Sequence, residues 1–344
     1  MKSSLSPSVR RRTLWGVTAV LALLLLAVCY LTLSPLSYEK DKVFLVEQTD
    51  NLDTTAAKLA DESSAAKAGL FRLLVRLTGS QDRLRVGRYG LSGTSALQLL
   101  RNMRNGSQLP VRLVLPVLHT TGELAEFLGR QLEQPADSFL LAFSDTLALA
   151  AIGTTPERLP CMLIPNTYEV YWTASPQSFL TRMKKESEAF WSDARKARAE
   201  ALGLSTDEVI TLASIVEQET AAKKEKATIA GLYLNRLHSG MPLQADPTVK
   251  FAVGDFTLRR ITNALLKTDS PYNTYRHAGL PPGPICLPSV ESIDAVLNAE
   301  KHRFIYMCAN PDFSNTHVFT ENYSDHQKVA AAYAAELNKR GILK

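Results

Sequence analysis

The longest apolar run in the chain lies close to its N-terminus. Residues 13–33 contain no charged side chain, and most of them are leucine, alanine or valine. Because a helix needs about 20 apolar residues to cross a bilayer, this run predicts a transmembrane helix. Trp15 and Tyr30 lie near its two ends, where amphipathic rings favour the membrane interface.

The residues before this run predict its orientation. They include Lys2, Arg10, Arg11 and Arg12 but no acidic residue. Basic flanks stay in the cytoplasm, so residues 1–12 form a predicted cytoplasmic tail and the chain after the helix is outside. The alternative is a cleaved signal peptide, whose apolar region is about 7–15 residues long and ends at a small-x-small site. Residues 31–35 offer no good site, which favours an uncleaved single-pass anchor in the inner (cytoplasmic) membrane.

After a predicted linker at residues 34–41, hydrophobic periodicity indicates a small module over residues 42–109. Period-two and period-3.6 patterns alternate there. They predict strands at Val43–Val46 and Arg83–Leu91 and helices at Leu52–Ala60, Ala65–Leu77 and Thr94–Arg104. A strand-helix-helix-strand order in so short a segment is better suited to binding than to an elaborate active site.

A second, larger domain is predicted over residues 110–344. Its predicted elements are a strand at Val111–Leu115, helices near Leu124–Leu132 and Asp145–Ala151, a long helix from Pro176 to about Leu202, and a hairpin of Phe304–Cys308 with Thr316–Thr320. A last helix is predicted to begin at Ser324, which forms a capping box with Gln327. Strands and helices are not regularly alternated, so the predicted fold class is α+β.

Charge and cysteine content exclude several classes of protein. The formal net charge is +5, of which four charges lie in the N-terminal tail, leaving about +1 on the rest. A nearly neutral ectodomain argues against nucleic acid as a partner, because nucleic acid requires a basic face. Outside the apolar run the cysteines are Cys161, Cys286 and Cys308, an odd number without a C-x-x-C pair, so no disulfide framework is implied.

The stretch with the clearest chemistry is a helix that a Ser205–Glu208 capping box begins. Apolar side chains between Val209 and Val216 cover most of its circumference, and Glu217 and Glu219 both fall inside the apolar arc. Desolvation raises the pKa of a buried carboxyl group, which then keeps a proton for general acid catalysis. Periodicity does not choose between the two glutamates, and either one could instead be paired with a base.

Polar residues then crowd into predicted loops. These are residues 241–248 and 269–277, followed by the proline-rich segment 279–285. Tyr, Asn, Gln and Asp stack on sugars and bond to their hydroxyl and acetamido groups. A run with three prolines is stiff and extended.

Four of these segments together resemble the successive motifs of the endolytic murein transglycosylases, the YceG-like family. They are Ala213–Thr220, Gln244–Val249, Asp269–Tyr275 and Gly279–Ile285. The likeness extends to Leu163–Tyr168, to Val86–Tyr89, which is similar to a strand of the family's LysM-like module, and to His317 and His326. Residues 159–162 depart from the family pattern, and no site role is expected for them.

The resemblance implies an enzyme that cuts nascent peptidoglycan strands between MurNAc and GlcNAc, leaves a 1,6-anhydro end and so terminates strand elongation. It places the catalytic acid on Glu217 and leaves Glu219 a supporting role. The expected substrate-binding residues are Gln244, Asp246, Thr248, Ser270, Tyr272, Asn273 and Tyr275. We expect them to line one cleft with Glu217 at its floor and Pro281–Pro284 as one wall. Peptidoglycan is the implied partner, and cell-wall polymerases are candidate partners.

Two other functions stay open. One is a muramidase that uses water, with Glu219 or Asp246 as the second carboxylate. The other is a non-catalytic peptidoglycan-binding scaffold. No cofactor is expected, and none of the six histidines forms H-E-x-x-H or a close ligand pair, so no metal site is predicted.

Overall fold

The computed structural model describes residues 7–258 and 261–340. Residues 1–6 of the predicted tail, including Lys2, lie outside the described residues. The fold is mixed α+β with an apolar N-terminal helix, as the hydrophobic pattern predicted. Helix α1 spans Pro7–Leu33, and its Arg11–Leu33 portion is long and apolar enough to cross a membrane.

The described chain divides into two compact units. The first contains residues up to Arg112 together with Glu169–Ala174, and the second contains Leu113–Tyr168 and Ser175 onward. Besides α1, the first unit contains β1 (Val43–Val46), α2 (Leu52–Glu62), α3 (Ala65–Leu77), β2 (Gly87–Gly90) and α4 (Ala96–Asn105). The predicted βααβ order is therefore confirmed.

Strand pairing and an apolar core hold the first unit together. Strands β1 and β2 pair antiparallel, with Phe44 opposite Tyr89. Both side chains are buried beside Phe71 and Met103 from the helices. Leu36, which lies in the predicted linker, is only 3% exposed and belongs to this core, so the segment after α1 is packed against the unit.

Strands β3 (Pro110–Val114) and β4 (Thr167–Tyr171) form a second two-stranded sheet. The second unit is mainly helical and contains α5 (Thr121–Gln131), α6 (Ala136–Ser144), α7 (Thr146–Ala151), α8 (Pro176–Phe190), α9 (Asp193–Ala201), α10 (Thr206–Glu219), α11 (Lys226–His238), α12 (Asp246–Val253), α13 (Val290–Leu297) and α14 (Tyr323–Lys339). The predicted hairpin is confirmed as β5 (Tyr306–Ala309) paired antiparallel with β6 (His317–Thr320).

Two helix predictions were wrong in detail. The predicted long helix breaks into α8 and α9 because Trp191 turns into the core, where it is 6% exposed, and Ser192 begins a new helix. The last helix begins after Asn322, whose side chain accepts a hydrogen bond from the backbone N–H of Asp325, so Ser324 is not its cap. Asp246 and Thr248, predicted in a loop, lie on α12, which Pro247 suits in its first turn.

The core of the second unit surrounds α10. Every side chain from Val209 to Val216 is buried, and α11 and α13 pack against this helix. The predicted capping box is confirmed: Ser205 and Glu208 exchange side-chain-to-backbone hydrogen bonds. A helix with a buried middle and a well-defined start brings its last turn, which carries the two glutamates, to a fixed place.

Candidate active site

The two glutamates of α10 point to different surroundings because of helix geometry. At 3.6 residues per turn, side chains two positions apart are separated by about 200°. Glu217 and Glu219 therefore leave the last turn of α10 on nearly opposite sides, although both side chains are largely covered by protein.

Glu217 lies in a closed polar cluster. Its Oε2 atom accepts hydrogen bonds from the backbone N–H of Ser289 at 3.1 Å and from the hydroxyls of Ser289 and Ser292 at 2.5 Å. The Nζ atom of Lys226 lies 3.2 Å from the same oxygen, and the two side chains are 16% and 6% exposed. Since Ser289 begins α13, this carboxylate fixes the end of α10 to the start of α13.

Glu219 lies on a cavity of about 240 Å³ within the second unit. The hydroxyl of Tyr233, on α11, donates a hydrogen bond to its Oε1 atom at 2.5 Å. The residues that line the cavity are Glu219, Tyr233, Arg236, Gln244, Asp246, Tyr275, Met307, Cys308, Ala309 and His317. Three of the predicted substrate-binding residues thus share a cavity with Glu219, and Glu217 is not among its lining residues.

The two environments shift the carboxyl pKa values in opposite directions. Burial raises the pKa of Glu219 to about 7, and the negative charge of Asp246 acts in the same direction, against the hydrogen bond from Tyr233 and the charge of His317. Burial also acts to raise the pKa of Glu217, but the bonds from Ser289 and Ser292 and the charge of Lys226 outweigh it and hold that pKa below its usual value. Glu219 is therefore the better proton donor near neutral pH.

The Gln244–Asp246 segment supplies one side of the cavity. Gln244 and Asp246 are exposed while Leu243 and Ala245 are buried, so alternate side chains reach the cavity. Gln244 has a φ angle of 50°, in the left-handed region, which is a strained conformation for a residue other than glycine. Its N–H donates to the carbonyl of Thr274 at 3.2 Å, which helps to hold this conformation.

Asp246 and Tyr275 form a pair on the cavity wall. The Tyr275 hydroxyl donates to Oδ1 of Asp246 at 2.6 Å. The two residues are 29 positions apart in sequence, and a Thr248–Thr274 hydroxyl contact at 2.8 Å joins the same two segments. This pair presents a second carboxylate to the cavity, with one of its oxygens already bonded.

His317 and Glu225 are site residues to which the sequence analysis gave no role. The Glu225 carboxylate accepts a hydrogen bond from the His317 backbone N–H at 2.8 Å, and its other oxygen lies 3.0 Å from Nδ1 of the ring. This contact orients the imidazole on the cavity wall. The signal in the sequence was the match of His317 to a histidine of the family, which did not say what the side chain does.

Other predicted binding residues have structural positions instead. Asn273 is fully buried, and its amide donates to the carbonyls of Leu266 and Thr268. Thr248 is also fully buried and donates to the carbonyl of Ala245 at 2.6 Å. Neither side chain is available to a ligand, because its polar atoms already bond to the loops that carry the cavity residues.

Ser270 and Tyr272 also lie outside the cavity lining. The Ser270 hydroxyl accepts a hydrogen bond from the N–H of Tyr272 at 3.2 Å, and the Tyr272 ring packs on Phe251 with centroids 4.6 Å apart. Both contacts shape the loop that ends at Tyr275.

The proline-rich segment lines a different cavity. Residues 279–282 border a space of about 440 Å³ near the start of α10, with Arg158, Asp207 and His238 on other sides. Glu217 lines neither this space nor the cavity at Glu219. Neither cavity therefore combines the proline-rich segment with Glu217, as the predicted single cleft did.

No cluster of three or more His, Cys, Asp or Glu side chains could hold a metal ion within residues 7–258 and 261–340. Seven of the ten lining residues carry side-chain oxygen or nitrogen atoms, which bond to polar ligands or transfer protons.

Comparison with known proteins bears on this site. The sequence profile of the YceG-like family matches residues 44–332, which include every cavity residue named above. The chain belongs to the YceG-like family. It is similar to a yceG-like protein of Listeria monocytogenes known from a 2.6 Å crystal structure, with a TM-score of 0.56 and 27% identity over 85% of this chain and 99% of that one.

Curated relatives share the family motifs. An endolytic murein transglycosylase of Bacillus subtilis is 36% identical over 137 residues, covering 40% of this chain and 37% of the relative. One of Streptococcus pneumoniae is 27% identical over 308 residues, covering 79% of this chain and 55% of the relative. The chain thus spans about half or less of the length of these curated relatives.

Proposed function

We propose that this chain is a membrane-anchored endolytic lytic transglycosylase that cuts peptidoglycan between MurNAc and GlcNAc and leaves a 1,6-anhydroMurNAc end. Membership of the YceG-like family and the names of the relatives support the reaction. The single observation that carries the assignment within the site is Glu219, a carboxyl group with a pKa of about 7 on a polar cavity.

The same carboxyl group serves both halves of the reaction. Protonated Glu219 gives its proton to the glycosidic oxygen as the C1–O bond breaks, and the sugar becomes oxocarbenium-like. The resulting carboxylate then accepts the proton of the MurNAc C6 hydroxyl, whose oxygen attacks C1 of the same sugar. Glu219 ends protonated, and no water is consumed. Because nucleophile and electrophile belong to one sugar, the effective concentration is high.

The other cavity groups assist by position and charge. Tyr233 holds Glu219 through its hydrogen bond. The Asp246 carboxylate keeps the Glu219 proton in place and places negative charge where a sugar cation develops. Gln244 and the oriented imidazole of His317 supply hydrogen-bonding groups for the sugar hydroxyl and acetamido groups.

A muramidase remains a second candidate because Asp246 shares the cavity with Glu219. Two carboxylates on one site are what hydrolysis uses, one as acid and one as base or nucleophile. The Tyr275 hydrogen bond to Asp246 favours the first proposal, since it already occupies one of the two carboxylate oxygens that could bind a water molecule.

Digestion of purified glycan strands with the full chain, followed by mass analysis of the fragments, distinguishes a lytic transglycosylase from a muramidase. We expect fragments with anhydro ends, lighter by one water than hydrolysed fragments. Fragments that carry the mass of the added water would establish the muramidase instead. Intact strands after incubation with the folded protein would favour a binding scaffold.

We also propose the topology that the sequence predicted, with the N-terminus in the cytoplasm and the second unit outside the inner membrane. The single apolar helix and the basic residues before it support this. Residues 42–109 are proposed to form a LysM-like module, supported by the β1-α2-α3-β2 order, and cell-wall polymerases are proposed as partners. A reporter fused after Lys344 should be active only outside the cytoplasm, and cytoplasmic activity would contradict the topology.

A further inference from the structure

The apolar helix α1 is joined to the first unit without a free tether. The backbone N–H of Leu36 donates to the carbonyl of Thr94 at 2.7 Å, and the Lys67 ammonium group donates to the carbonyl of Pro35. Leu36 itself is buried in the core of the unit. Helices α3 and α4 both contact α1. Whatever surface α1 enters, these two helices are held next to it.

Helix α3 is apolar on two sides. Ala68, Phe71 and Val75 face the core and are 3% exposed or less. Leu73 and Leu77 are 50% and 74% exposed. Leu73 is about 200° from both Phe71 and Val75 around the helix, so the exposed leucines lie opposite the buried face. A solvated helix normally carries polar residues there.

The segment that contains α3 and α4 is strongly basic. Between Ala65 and Asn105 the chain has a single acidic residue, Asp82. The basic residues of this segment are Lys67, Arg72, Arg76, Arg83, Arg85, Arg88, Arg101 and Arg104. Helices α3 and α4 contain no acidic residue. Asp53 of α2 lies 2.6 Å from Arg72 and 3.8 Å from Arg76, so it offsets only part of this charge.

We propose that α3 lies in the surface of the membrane that α1 enters, with Leu73 and Leu77 among the lipid chains and the basic residues of α3 and α4 on anionic phospholipid headgroups. An exposed leucine stripe beside arginines is typical of interfacial helices, and anionic lipids attract basic residues next to a membrane anchor. The inference rests on the proposed membrane anchoring. It assigns the first unit a lipid contact in addition to any contact with glycan.

Spin labels on the full chain in phosphatidylglycerol-containing nanodiscs test the inference. Single labels are placed at Leu77→Cys and, as a matched exposed leucine of the same unit, at Leu45→Cys, which is 38% exposed on β1. Both variants carry Cys29→Ala and Cys308→Ser, since Cys161 and Cys286 are buried. A third sample has Cys308→Ser alone, so that the label at Cys29 of α1 reports whether the helix is in the bilayer.

We expect the labels at Leu77 and Cys29 to be relaxed more by oxygen than by a water-soluble nickel chelate, and the label at Leu45 to show the reverse. Neutral lipid should reduce the oxygen preference at Leu77 and leave Cys29 unchanged. If the label at Leu77 is relaxed more by the nickel chelate while the label at Cys29 is relaxed more by oxygen, the inference about α3 is wrong and the membrane anchoring by α1 stands. Nickel-dominated relaxation at Cys29 would overturn the anchoring itself. An oxygen preference at Leu77 that neutral lipid leaves unchanged would overturn the headgroup contact.

Discussion

The last turn of α10 places the same residue type in two opposite environments. On one side, Glu217 is enclosed by two serines and a buried lysine, all bonded to one oxygen. On the other, Glu219 has one hydroxyl donor and a neighbouring carboxylate, on a cavity. The first set of partners stabilises a charged carboxylate, whereas burial and the neighbouring Asp246 carboxylate favour the neutral form of Glu219 against the Tyr233 hydrogen bond.

The contrast shows that the groups around Glu217 and Glu219, which lie on the same helical turn, shift their pKa values in opposite directions. Burial acts to raise the pKa of both carboxyl groups and is the largest cause for each. At Glu217 the serine donors and Lys226 outweigh it and favour the charged form. At Glu219 the bond from Tyr233 and the charges of His317 and Arg236 do not outweigh it, which supports the proposed role of Glu219 as the proton donor. Accessibility of the cavity then makes that proton useful.

The largest expected effect is on cleavage. Glu219→Gln removes the proton donor, and we expect cleavage to fall by about 10²–10⁴-fold, the usual contribution of general acid–base catalysis. Rates of strand cleavage by the full chain measure it, with Glu217→Gln as the matched variant two residues away. If Glu217→Gln abolished cleavage in a folded protein and Glu219→Gln did not, the acid would be Glu217, as the family resemblance implied.

The second effect is on stability. Glu217→Gln leaves Lys226 charged and buried without its partner, and loss of one member of a buried ion pair typically costs about 3 kcal/mol. Thermal unfolding should show a clearly lower Tm for this variant. Glu219→Gln should not lower the Tm in this way, because its neutral form is already favoured. Equal losses of Tm in both variants would contradict the proposal that Glu217 stabilises the fold while Glu219 acts as the acid.

The third effect is the dependence of stability on pH. The pKa of Glu219 is about 7 in the folded chain and about 4.3 in an unfolded one, so between these values the folded state binds more protons. The free energy of unfolding should therefore fall as pH rises from about 4.3 to 7. Glu219→Gln should remove this part of the slope. Denaturant titrations at several pH values measure it, and an unchanged slope would rule out the raised pKa.

The smallest effect concerns the cavity wall. Tyr275→Phe removes the hydroxyl bonded to Asp246 while keeping the ring, and one such hydrogen bond contributes about 1 kcal/mol. We expect cleavage to fall several-fold with little change in Tm. Tyr272→Phe is a suitable control from the same loop, since the Tyr272 ring packs on Phe251 away from the cavity. A larger loss for Tyr272→Phe would mean that the Tyr272 hydroxyl matters more for cleavage than the Tyr275–Asp246 bond does.

Local patterns predicted much of the fold. The apolar N-terminal helix, helix α3 at Ala65–Leu77 and the capping box at Ser205 each depend on neighbours in sequence, so periodicity and caps were sufficient. The break at Trp191 was missed because it depends on a ring entering the core. Helix α12 was missed because Asp246 and Pro247 are also typical of turns.

The site was harder to predict because its chemistry depends on distant partners. The sequence indicated two buried carboxyl groups at Glu217 and Glu219, and three of the predicted binding residues do share a cavity. The donors that distinguish the glutamates are Ser289 and Ser292, more than 70 positions away from Glu217. Asn273 has the chemistry of a sugar ligand, yet its amide closes its own loop.

The cavity also has an order of assembly. Its residues come from α10, α11, the start of α12 and the Tyr275 loop, but Met307–Ala309 and His317 complete it from the far end of the chain. Under the proposed topology the N-terminal helix enters the membrane first, and these strands follow only after the helices that carry the other cavity residues. A chain exported only as far as α13 therefore carries Glu219 without its full set of walls. Under the proposed function, cutting activity would begin only after β5 and β6 have been exported, which would protect the cell wall from an incomplete enzyme.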